Sequence, residues 1–365
     1  MAILTEGQVV RATCTVERYL GEGAFAEVYR VQHRFLGRQA MKVFKTKGMS
    51  IEEIEEMMGE AILLSRIGHP NIVRVYDANI LEIQDSTYGF FTMEYVPGGT
   101  LDRYWQSYQS KLMPVQEAVD IIKQVCAGLA VGHSENPPIV HRDIKPQNIL
   151  IGYDGSGIRV RVSDFGLAKR VNPMTLMVSA KGTLSFKPPE SLKNQDSCLA
   201  DIWAIGTTMY LLLTDRLPYP GLDSRDVDDA TRFMEELKPA NFYNIRVDQF
   251  LDEIITRCLA KKPDDRYSNA GELLQALNSW KPIKHHIRSE SRQTNSESSK
   301  TIFVERSPLN EITISRRIQE AMQLSKLPGK LPMAADILEE IINKDHSLRK
   351  QYESQLKLWR KGMVM

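Results

Sequence analysis

Residues 141–148 read His-Arg-Asp-Ile-Lys-Pro-Gln-Asn, and residues 164–166 read Asp-Phe-Gly. Together they bring an acid, a lysine, an amide and a second acid into a short part of the chain. The carboxylate of Asp143 can accept a proton from a hydroxyl group, and the ammonium of Lys145 can stabilise a moving phosphoryl group. Asn148 and Asp164 offer the hard oxygen ligands that Mg²⁺ prefers. The spacing therefore predicts a site for phosphoryl transfer from a metal–nucleotide complex.

A glycine-rich segment near the start of the chain is a second candidate for phosphate binding. Residues 21–28 read Gly-Glu-Gly-Ala-Phe-Ala-Glu-Val between two segments of β-strand character. Glycines let the backbone approach phosphates closely and offer N–H donors, although the pattern alone also fits an ordinary hairpin turn. It does not lead from a strand into a helix, and it lacks the Gly-Lys-Ser/Thr ending of P-loop proteins. Further on, Lys42 lies inside an apolar strand, where it either points to water or meets a partner.

These residues resemble the catalytic machinery of the eukaryotic-like (Hanks-type) serine/threonine protein kinases. The resemblance covers about residues 12–280, and Ala26 replaces a glycine that the family usually has. It implies an α+β, bilobal protein-kinase fold with a small β-rich lobe and a large helical lobe. It also implies transfer of the ATP γ-phosphate to Ser or Thr hydroxyls of proteins, including the kinase itself, with Mg²⁺ or Mn²⁺ as the metal. The compact lobes without large inserts are compatible with a bacterial member.

The resemblance assigns the catalytic and supporting roles to Asp143, Lys145, Lys42, Glu60 and Thr183. Lys42 is expected to bind the α- and β-phosphates and to pair with Glu60 on the next helix, with Glu56 as the alternative. Thr183 is expected to bridge to Asp143 and Lys145. A lysine two residues after the catalytic acid is typical of serine/threonine rather than tyrosine kinases. Asn148 and Asp164 are the expected metal ligands.

The resemblance also predicts the residues around the nucleotide, namely Leu20, Gly21, Glu22, Gly23, Ala24, Phe25, Val28, Ala40, Lys42, Met93, Glu94, Val96 and Leu150. Residues 90–99 look like the hinge between the lobes, with Met93 as the gatekeeper that limits a back pocket. The backbone of Glu94 and Val96 is expected to bond adenine. Val28, Ala40 and Leu150 are expected to sandwich the ring.

Residues 182–190, Gly-Thr-Leu-Ser-Phe-Lys-Pro-Pro-Glu, resemble the end of the activation segment in this family. Phe186 and Pro188 are mild departures from its usual Tyr and Ala. Glu190 is expected to form a buried pair with Arg266, and Asp201 is expected to anchor the catalytic loop. His141 is expected to be a structural histidine below that loop. These roles are architectural.

An arginine directly before the catalytic acid is typical, in this family, of regulation by phosphorylation of the activation segment. Ser179 is the first candidate phosphosite and Thr175 is the second. A phosphate there would recruit Arg142, with Lys169 or Arg170, through charge-assisted hydrogen bonds. The alternative is that the segment is ordered without modification.

The totals limit the class of protein. The chain has 365 residues, with 47 basic and 46 acidic side chains, so we expect no nucleic-acid partner and no charged membrane footprint. The cysteines form no Cys-x-x-Cys pair, and they predict buried thiols in a reducing compartment. No signal peptide is apparent at the start, and the apolar stretch 202–213 is shorter than the roughly 20 residues of a membrane span. These features together predict a cytoplasmic protein without a membrane span.

The sequence predicts three regions in order. Residues 12–280 form the kinase domain, with the small lobe over about 12–96 and the large lobe over about 97–280. Residues 281–310 are polar and predict a flexible linker. Helical periodicity returns over 311–365, which predicts either an extension packed on the large lobe or a docking module for a partner or a dimer.

Two other classes of function share part of this pattern. A pseudokinase scaffold uses the same fold for binding, but it usually lacks the lysine, the base or the metal acid. A small-molecule kinase of the aminoglycoside type shares the loop acids, but it lacks the Gly-Thr and Pro-Pro-Glu blocks. The sequence thus favours a serine/threonine protein kinase that acts on protein substrates.

Overall fold

The computed structural model describes residues 2–23, 25–108, 112–154, 157–165, 184–193, 197–219, 230–282, 317–319, 321–325, 331–344 and 348–360. The chain divides into two compact units. The first comprises Met1–Gly152 and Ile158–Pro282, and the second comprises Tyr153–Gly157 and Ile283–Met365.

The first unit begins with a six-stranded antiparallel sheet in the order β1-β2-β3-β4-β6-β5. Its strands are β1 (Val9–Val10), β2 (Cys14–Glu22), β3 (Ala26–His33), β4 (Gly37–Lys47), β5 (Val75–Ile83) and β6 (Ser86–Glu94). The sequence predicts strands close to β2, β3, β4 and β6, but it does not indicate β1. The composition of residues 72–79 also predicts a strand, but this prediction is wrong at its start because Ile72 forms a parallel bridge with Val162 instead.

Each face of this sheet is covered by a different part of the chain. Helix α1 (Ile51–Ile67) packs on one face, and its start is fixed by a capping box between Ser50 and Glu53. On the other face lies a hydrophobic core of Leu4, Val10, Cys14, Val16, Tyr29, Val31, Met41, Val43, Leu81, Tyr88 and Phe90. The alternation of side chains along a strand explains how β3 and β4 supply one face with this core and the other face with different residues.

The rest of the first unit is mainly helical. Its helices are α2 (Leu101–Gln106), α3 (Val115–His133), α4 (Cys198–Thr214), α5 (Ala240–Tyr243), α6 (Gln249–Cys258) and α7 (Ala270–Ser279), with 3₁₀ turns at Pro146–Asn148, Pro189–Lys193, Ala230–Met234 and Pro263–Asp265. Helix α3 has the bounds that its periodicity predicts. Strands β7 (Ile149–Asp154) and β8 (Gly157–Val162) form a hairpin, which the sequence predicts with shorter arms over 149–151 and 159–162.

Helix α4 is buried along almost its whole length, as an apolar core helix should be. Gly206 lies where α4 meets the end of α6, because an added Cβ would come within 2.6 Å of the Cys258 Cβ. Cys14, Cys126 and Cys258 are buried as predicted, whereas Cys198 is only half-buried because it is the first residue of α4.

The second unit contains α8 (Leu331–Lys344) and α9 (Arg349–Arg360), and residues 317–319 and 321–325 are also helical. These helices bury a small core of Ala321, Ala334, Ala335, Leu338, Ile342 and Trp359. The predicted apolar stripe 334–342 is therefore the buried side of α8. In the part of the chain that the structure describes, no helix has the length and apolar character needed to span a bilayer.

We expect Gly206→Ala to destabilise the first unit by about 1–3 kcal/mol, because the new methyl group has no space against α6. Gly59→Ala on α1 is the matched control, since no other group lies within 4 Å of its added Cβ. That change should be neutral or stabilising by up to about 1 kcal/mol through helix propensity. Thermal unfolding followed by tryptophan fluorescence measures both. Equal unfolding midpoints for the two variants would contradict the assigned packing.

Candidate active site

The catalytic loop brings Asp143, Lys145 and Asn148 together. The Lys145 ammonium lies 2.9 Å from the Asp143 carboxylate. The Asn148 side-chain N–H group donates to the Asp143 carbonyl at 2.7 Å and to its carboxylate at 2.8 Å. The 3₁₀ turn Pro146–Asn148 returns the chain so that Asn148 reaches back over Asp143. Because both of these hydrogen bonds use the amide nitrogen of Asn148, its amide oxygen is not used in bonding Asp143.

The second predicted acid lies beside the predicted phosphate-binding lysine. The Lys42 ammonium is 2.8 Å from Oδ1 of Asp164, although the two residues are far apart in sequence. Asp164 has φ +65°, and Arg142 has φ +70°. Both are non-glycine residues in the left-handed region, a strained conformation that persists only where the surroundings enforce it. The backbone that carries the Asp164 carboxylate is therefore held in place by the fold.

His141 is a structural residue, as predicted. Its Nδ1 accepts the Asp143 backbone N–H at 3.2 Å, and its Nε2 lies 2.7 Å from the Ser163 carbonyl. This pairing fixes the Nε2–H tautomer, which donates to Ser163. Burial lowers the pKa of His141, so the ring is neutral. Its ring also packs against Phe165 at 4.6 Å between centroids, which links the catalytic loop to the Asp-Phe-Gly segment.

Asp201 anchors the catalytic loop from the buried helix α4. Its carboxylate accepts the backbone N–H groups of His141 at 2.7 Å and of Arg142 at 2.8 Å. The His133 ring, whose Nδ1 accepts the Ala270 N–H, places its Nε2 3.0 Å from the same carboxylate. Burial acts to raise the pKa of Asp201, but the hydrogen bonds from His133 and His141 outweigh it and lower that pKa. The anchor is thus a buried, fully bonded carboxylate.

The face of the sheet that carries Lys42 also carries most of the predicted adenine contacts. Lys42 is the cross-strand partner of Val28, and Ala40 is the cross-strand partner of Met93. Cross-strand partners share a face of the sheet, so all four side chains lie on one surface. Behind Met93 is a small cavity of about 20 Å³, whose lining includes Phe165. Met93 thus lies where a gatekeeper would limit access to this cavity.

The hinge strand connects this surface to the helical part of the unit. The Glu94 N–H donates to the Arg74 carbonyl at 2.8 Å, and the Glu94 carboxylate accepts from Arg161 Nε at 3.0 Å. Val96 is buried close to the β7 strand, and its side chain lies against Gly152. Leu150 forms an isolated β-bridge with Thr100, the residue that follows the hinge segment 90–99. The predicted upper and lower contacts of the nucleotide are therefore both attached to the hinge.

The glycine-rich segment forms the turn between β2 and β3, as predicted. The Gly23 N–H donates to the Ala26 carbonyl at 2.8 Å, and the Lys45 N–H donates to the Phe25 carbonyl at 2.8 Å. The Lys45 ammonium also pairs with Glu22 at 2.6 Å. Leu20 and Gly21 lie at the end of β2, where a register shift interrupts the ladder with β3. The hairpin tip is thereby tied to β4, the strand of Lys42.

Several predicted positions lie outside the described residues. They are Ala24, Thr175, Ser179 and Thr183, the side chains of Glu56 and Glu60, and the cations Lys169 and Arg170. The backbone of the helix that carries Glu60 is described, and it faces the sheet through Ile54, whose Cδ1 lies 2.7 Å from an added Gly89 Cβ. The predicted pair of Lys42 with Glu60 therefore stays a prediction.

The end of the activation segment is fixed to the catalytic loop by contacts that the sequence only partly indicates. Arg266 forms a two-pronged pair with Glu190, at 2.6 and 3.0 Å, as predicted. The Lys187 ammonium donates to the Arg142 carbonyl at 2.8 Å, and the buried Arg232 donates to the Leu184 carbonyl at 2.8 Å. Sequence reasoning missed Lys187 and Arg232. The local sequence marks neither residue, because each bonds backbone carbonyls.

The side chains fit a divalent ion in chemical type. Asp164 offers a carboxylate and Asn148 offers an amide oxygen, the hard ligands expected for Mg²⁺. Oδ1 of Asp164 is buried without a hydrogen-bond partner of good geometry, although Lys42 is close to it. Within the described residues, no group of three or more His, Cys, Asp or Glu residues could hold a metal alone. An ion at this site would therefore need further oxygen ligands from water or from a bound phosphate.

Comparison with known proteins finds similarity to protein kinases over the first unit of the chain. The protein kinase domain family matches residues 14–280. A probable serine/threonine-protein kinase of Clostridium acetobutylicum is 31% identical over 75% of this chain and 41% of its own length. The serine/threonine-protein kinase PrkC of Bacillus subtilis is 33% identical over 73% of this chain and 40% of its own length. The chain thus spans about two fifths of the length of these curated relatives.

Solved structures match the same part of the chain. The kinase domain of Mycobacterium tuberculosis PknI has 26% identity and a TM-score of 0.54, and the match covers 75% of this chain and 98% of that domain. A structure of Rad53 in complex with AMP-PNP has 26% identity and a TM-score of 0.56, with 72% of this chain and 64% of that chain covered.

We expect Arg266→Ala to cost about 3–5 kcal/mol of unfolding free energy, because it leaves the Glu190 carboxylate without its charged partner in a buried site. The Arg266 side chain is fully buried. Lys45→Ala is the matched control, because it breaks an exposed pair with Glu22 and should cost less than about 1 kcal/mol. Chemical denaturation measures both. A loss of similar size in the two variants would contradict a structural role for the Glu190–Arg266 pair.

Proposed function

The chain belongs to the protein kinase family, and we propose that it is a serine/threonine protein kinase that transfers the γ-phosphate of ATP to protein hydroxyl groups, including its own. The observation that carries the proposal is the joint position of Lys42 beside Asp164 and of Lys145 and Asn148 around Asp143. We further propose that residues 12–280 are the catalytic domain, with its lobes meeting near residue 96. The part from 281 to 310 is then a linker and 311–365 a helical extension.

In this proposal Asp143 orients the acceptor hydroxyl and receives its proton. The bond between the acceptor oxygen and the γ-phosphorus forms as the bond from that phosphorus to the ADP oxygen breaks. Lys145 is close enough to the Asp143 carboxylate to stabilise negative charge at the transferring group. Lys42 binds the α- and β-phosphates, and the backbone of the glycine-rich hairpin approaches the phosphates from the other side. Catalysis then depends mainly on positioning and electrostatics.

The metal ion would be held by Asn148 and Asp164. A bound Mg²⁺ or Mn²⁺ supplies positive charge to the phosphates during transfer. Asn148 contributes through the amide oxygen that its bonds to Asp143 leave unused. Asp164 contributes a carboxylate that is fixed in a strained backbone conformation. Since Asn148 and Asp164 would hold the metal, the Asp143 carboxylate would remain available to the acceptor hydroxyl.

We also propose that adenine lies between Val28 and Ala40 above and Leu150 below, bonded by the backbone of Glu94 and Val96. Supporting this placement, the upper residues share the face of the sheet that carries Lys42. Rad53, to which this chain is similar, has a solved structure in complex with the adenine nucleotide analogue AMP-PNP. A cytoplasmic location, and a contact with a partner or a second copy through the helices beyond residue 311, stay predictions.

We expect Asp143→Asn and Lys42→Ala to lower phosphate transfer by about 10²-fold or more, because each removes a group that acts on the reacting phosphate or hydroxyl. The assay is transfer from radiolabelled ATP with Mg²⁺ to a generic protein substrate, and chelation of the metal should abolish it. Lys47→Ala is the matched control, since this exposed lysine lies on the same strand. Full activity of the Asp143 variant, or unfolding of both variants, would contradict the assignment.

Ser179 is the proposed activating phosphosite, with Thr175 as the second candidate. We expect mass spectrometry after incubation with ATP to find phosphate in the segment 166–183. Ser179→Ala should lower activity at least about tenfold, because the charge-assisted hydrogen bonds of the phosphate to Arg142 are then not formed, and a coupling of this size is within the usual range for a regulatory site. Thr175→Ala distinguishes the two candidates: it should leave activity unchanged if Ser179 is the activating site, and a loss of activity in this variant alone would assign the role to Thr175. Full activity of dephosphorylated Ser179→Ala protein would show that the segment needs no modification.

A further inference from the structure

The first residues of the chain form a strap across the face of the sheet that is opposite the proposed nucleotide site. The strap comprises residues 3–10. At one end, β1 pairs with β2 through Val9–Thr15 and Val10–Cys14. At the other end, Leu4 enters the hydrophobic core that also contains Tyr29 and Val31 of β3. The strap is therefore fastened at both ends rather than lying loosely on the surface.

The inner end of the strap is bonded to two polar side chains of β3. The Ile3 N–H donates to Glu27 Oε2 at 2.8 Å, and the Leu4 N–H donates to the Tyr29 hydroxyl at 2.9 Å. The Tyr29 hydroxyl in turn donates to the same Glu27 carboxylate oxygen. Burial and the Glu27 carboxylate raise the pKa of Tyr29, so the phenol keeps its proton and remains a donor. The strap, Glu27 and Tyr29 thus form one closed hydrogen-bond network.

This network lies directly behind the glycine-rich hairpin. Glu27 pairs across the ladder with Glu22, at the point where the hairpin closes. Glu27 and Tyr29 flank Val28 in sequence, so their side chains lie on the opposite face of β3 from Val28. Val28 is the cross-strand partner of Lys42. A displacement of β3 at Glu27 and Tyr29 would therefore move both the hairpin and an expected adenine contact.

Because Glu27 is buried, its hydrogen bonds to the strap and to Tyr29 cannot readily be replaced by bonds to water. Its residue is only 5% exposed, so its carboxylate depends on the donors that surround it. A buried charge that loses a donor pays the full cost of its lost hydration, and the usual relief is rotation towards water. The donors that satisfy Glu27 are the Ile3 N–H and the Tyr29 hydroxyl, so the carboxylate joins the strap to β3 at the residue that pairs with Glu22. The strap is therefore bonded to the base of the hairpin, one residue from Val28.

We propose that Glu27 and Tyr29, held by residues 3 and 4 of the strap, are positioning residues that set the hairpin at the distance needed to bind the nucleotide phosphates. The inference rests on the proposed kinase function for its substrate, an adenosine triphosphate. None of the strap contacts reaches the reacting groups. The network therefore acts on nucleotide affinity, and it leaves the transfer step to the catalytic loop.

The test compares the affinity for Mg²⁺ and AMP-PNP, by titration calorimetry, with the steady-state constants for ATP and for a protein substrate. Tyr29→Phe keeps the ring in the core but deletes both hydroxyl bonds. We expect it to weaken nucleotide binding and to raise KM for ATP about three- to tenfold, which is less than the sum of two lost hydrogen bonds because these bonds act on the nucleotide only through the position of the hairpin. The kcat and the KM for the protein substrate should change less than about twofold, since the catalytic loop is untouched. Glu27→Ala should behave like Tyr29→Phe, and Glu27→Gln, which keeps an acceptor oxygen, should restore most of the affinity.

Val31→Ala is the control for a purely structural effect. Val31 lies on the same strand and in the same core, and its residue is fully buried. It should lower the unfolding midpoint as much as Tyr29→Phe or more, without a change in nucleotide affinity. Hydrogen exchange of residues 20–28 should be faster in Tyr29→Phe than in Val31→Ala.

Two results overturn the proposal: unchanged affinity in Tyr29→Phe, or an equal loss of affinity in Val31→Ala. A native chain that binds AMP-PNP but transfers no phosphate would contradict the proposed function instead, and the binding comparison would still decide the role of the strap.

Discussion

The hydrogen bonds that the Asp201 carboxylate accepts are the constraint on which the rest of the site depends. One buried side chain of α4 bonds the backbone at His141 and Arg142 and the ring of His133. These bonds fix the start of the catalytic loop, and they do so in the strained conformation that Arg142 adopts. Asp143 is the next residue in the chain. The position of its backbone therefore depends on the bonds from Asp201 to His141 and Arg142. The position of Asn148 then follows, since its amide is bonded to Asp143.

A second set of contacts links the helical part of the first unit to the six-stranded sheet. The loop at 71–73 pairs with β8, through Val162 N–H to the Asn71 carbonyl and Val73 N–H to the Val162 carbonyl. Asn71 also bonds the Val160 carbonyl through its side chain, and an added Cβ at Gly128 would lie 2.8 Å from the Asn71 carbonyl oxygen. Strand β8 leads directly to Asp164. The acid expected to hold the metal is therefore attached to the same loop that carries the chain into β5.

The sequence predicted best where chemistry requires a given side chain at a given spacing. Asp143, Lys145, Asn148 and Asp164 could be found because phosphoryl transfer needs those groups, and the Glu190–Arg266 pair followed from the resemblance. The local sequence pattern predicted strands less well where a residue pairs with a distant part of the chain, since nothing near Ile72 indicates its bridge to Val162. The strap was missed because Ile3, Leu4 and the short β1 show no alternation. Lys187 and Arg232 were missed because they bond backbone carbonyls, which leave no trace in residue identity.

The pairing of Lys42 with Asp164 and of Lys145 with Asp143 has a consequence for how the cleft is loaded. Each cation is already neutralised by a carboxylate at less than 3 Å. A bare triphosphate would have to compete with Asp164 for Lys42, and a bare divalent ion would have to compete with Lys42 for Asp164. A preassembled metal–nucleotide complex meets neither penalty, because it supplies the anion and the cation in one step. Binding of such a complex is thus an exchange of partners, in which the phosphates take the place of Asp164 at Lys42 and the metal takes the place of Lys42 at Asp164.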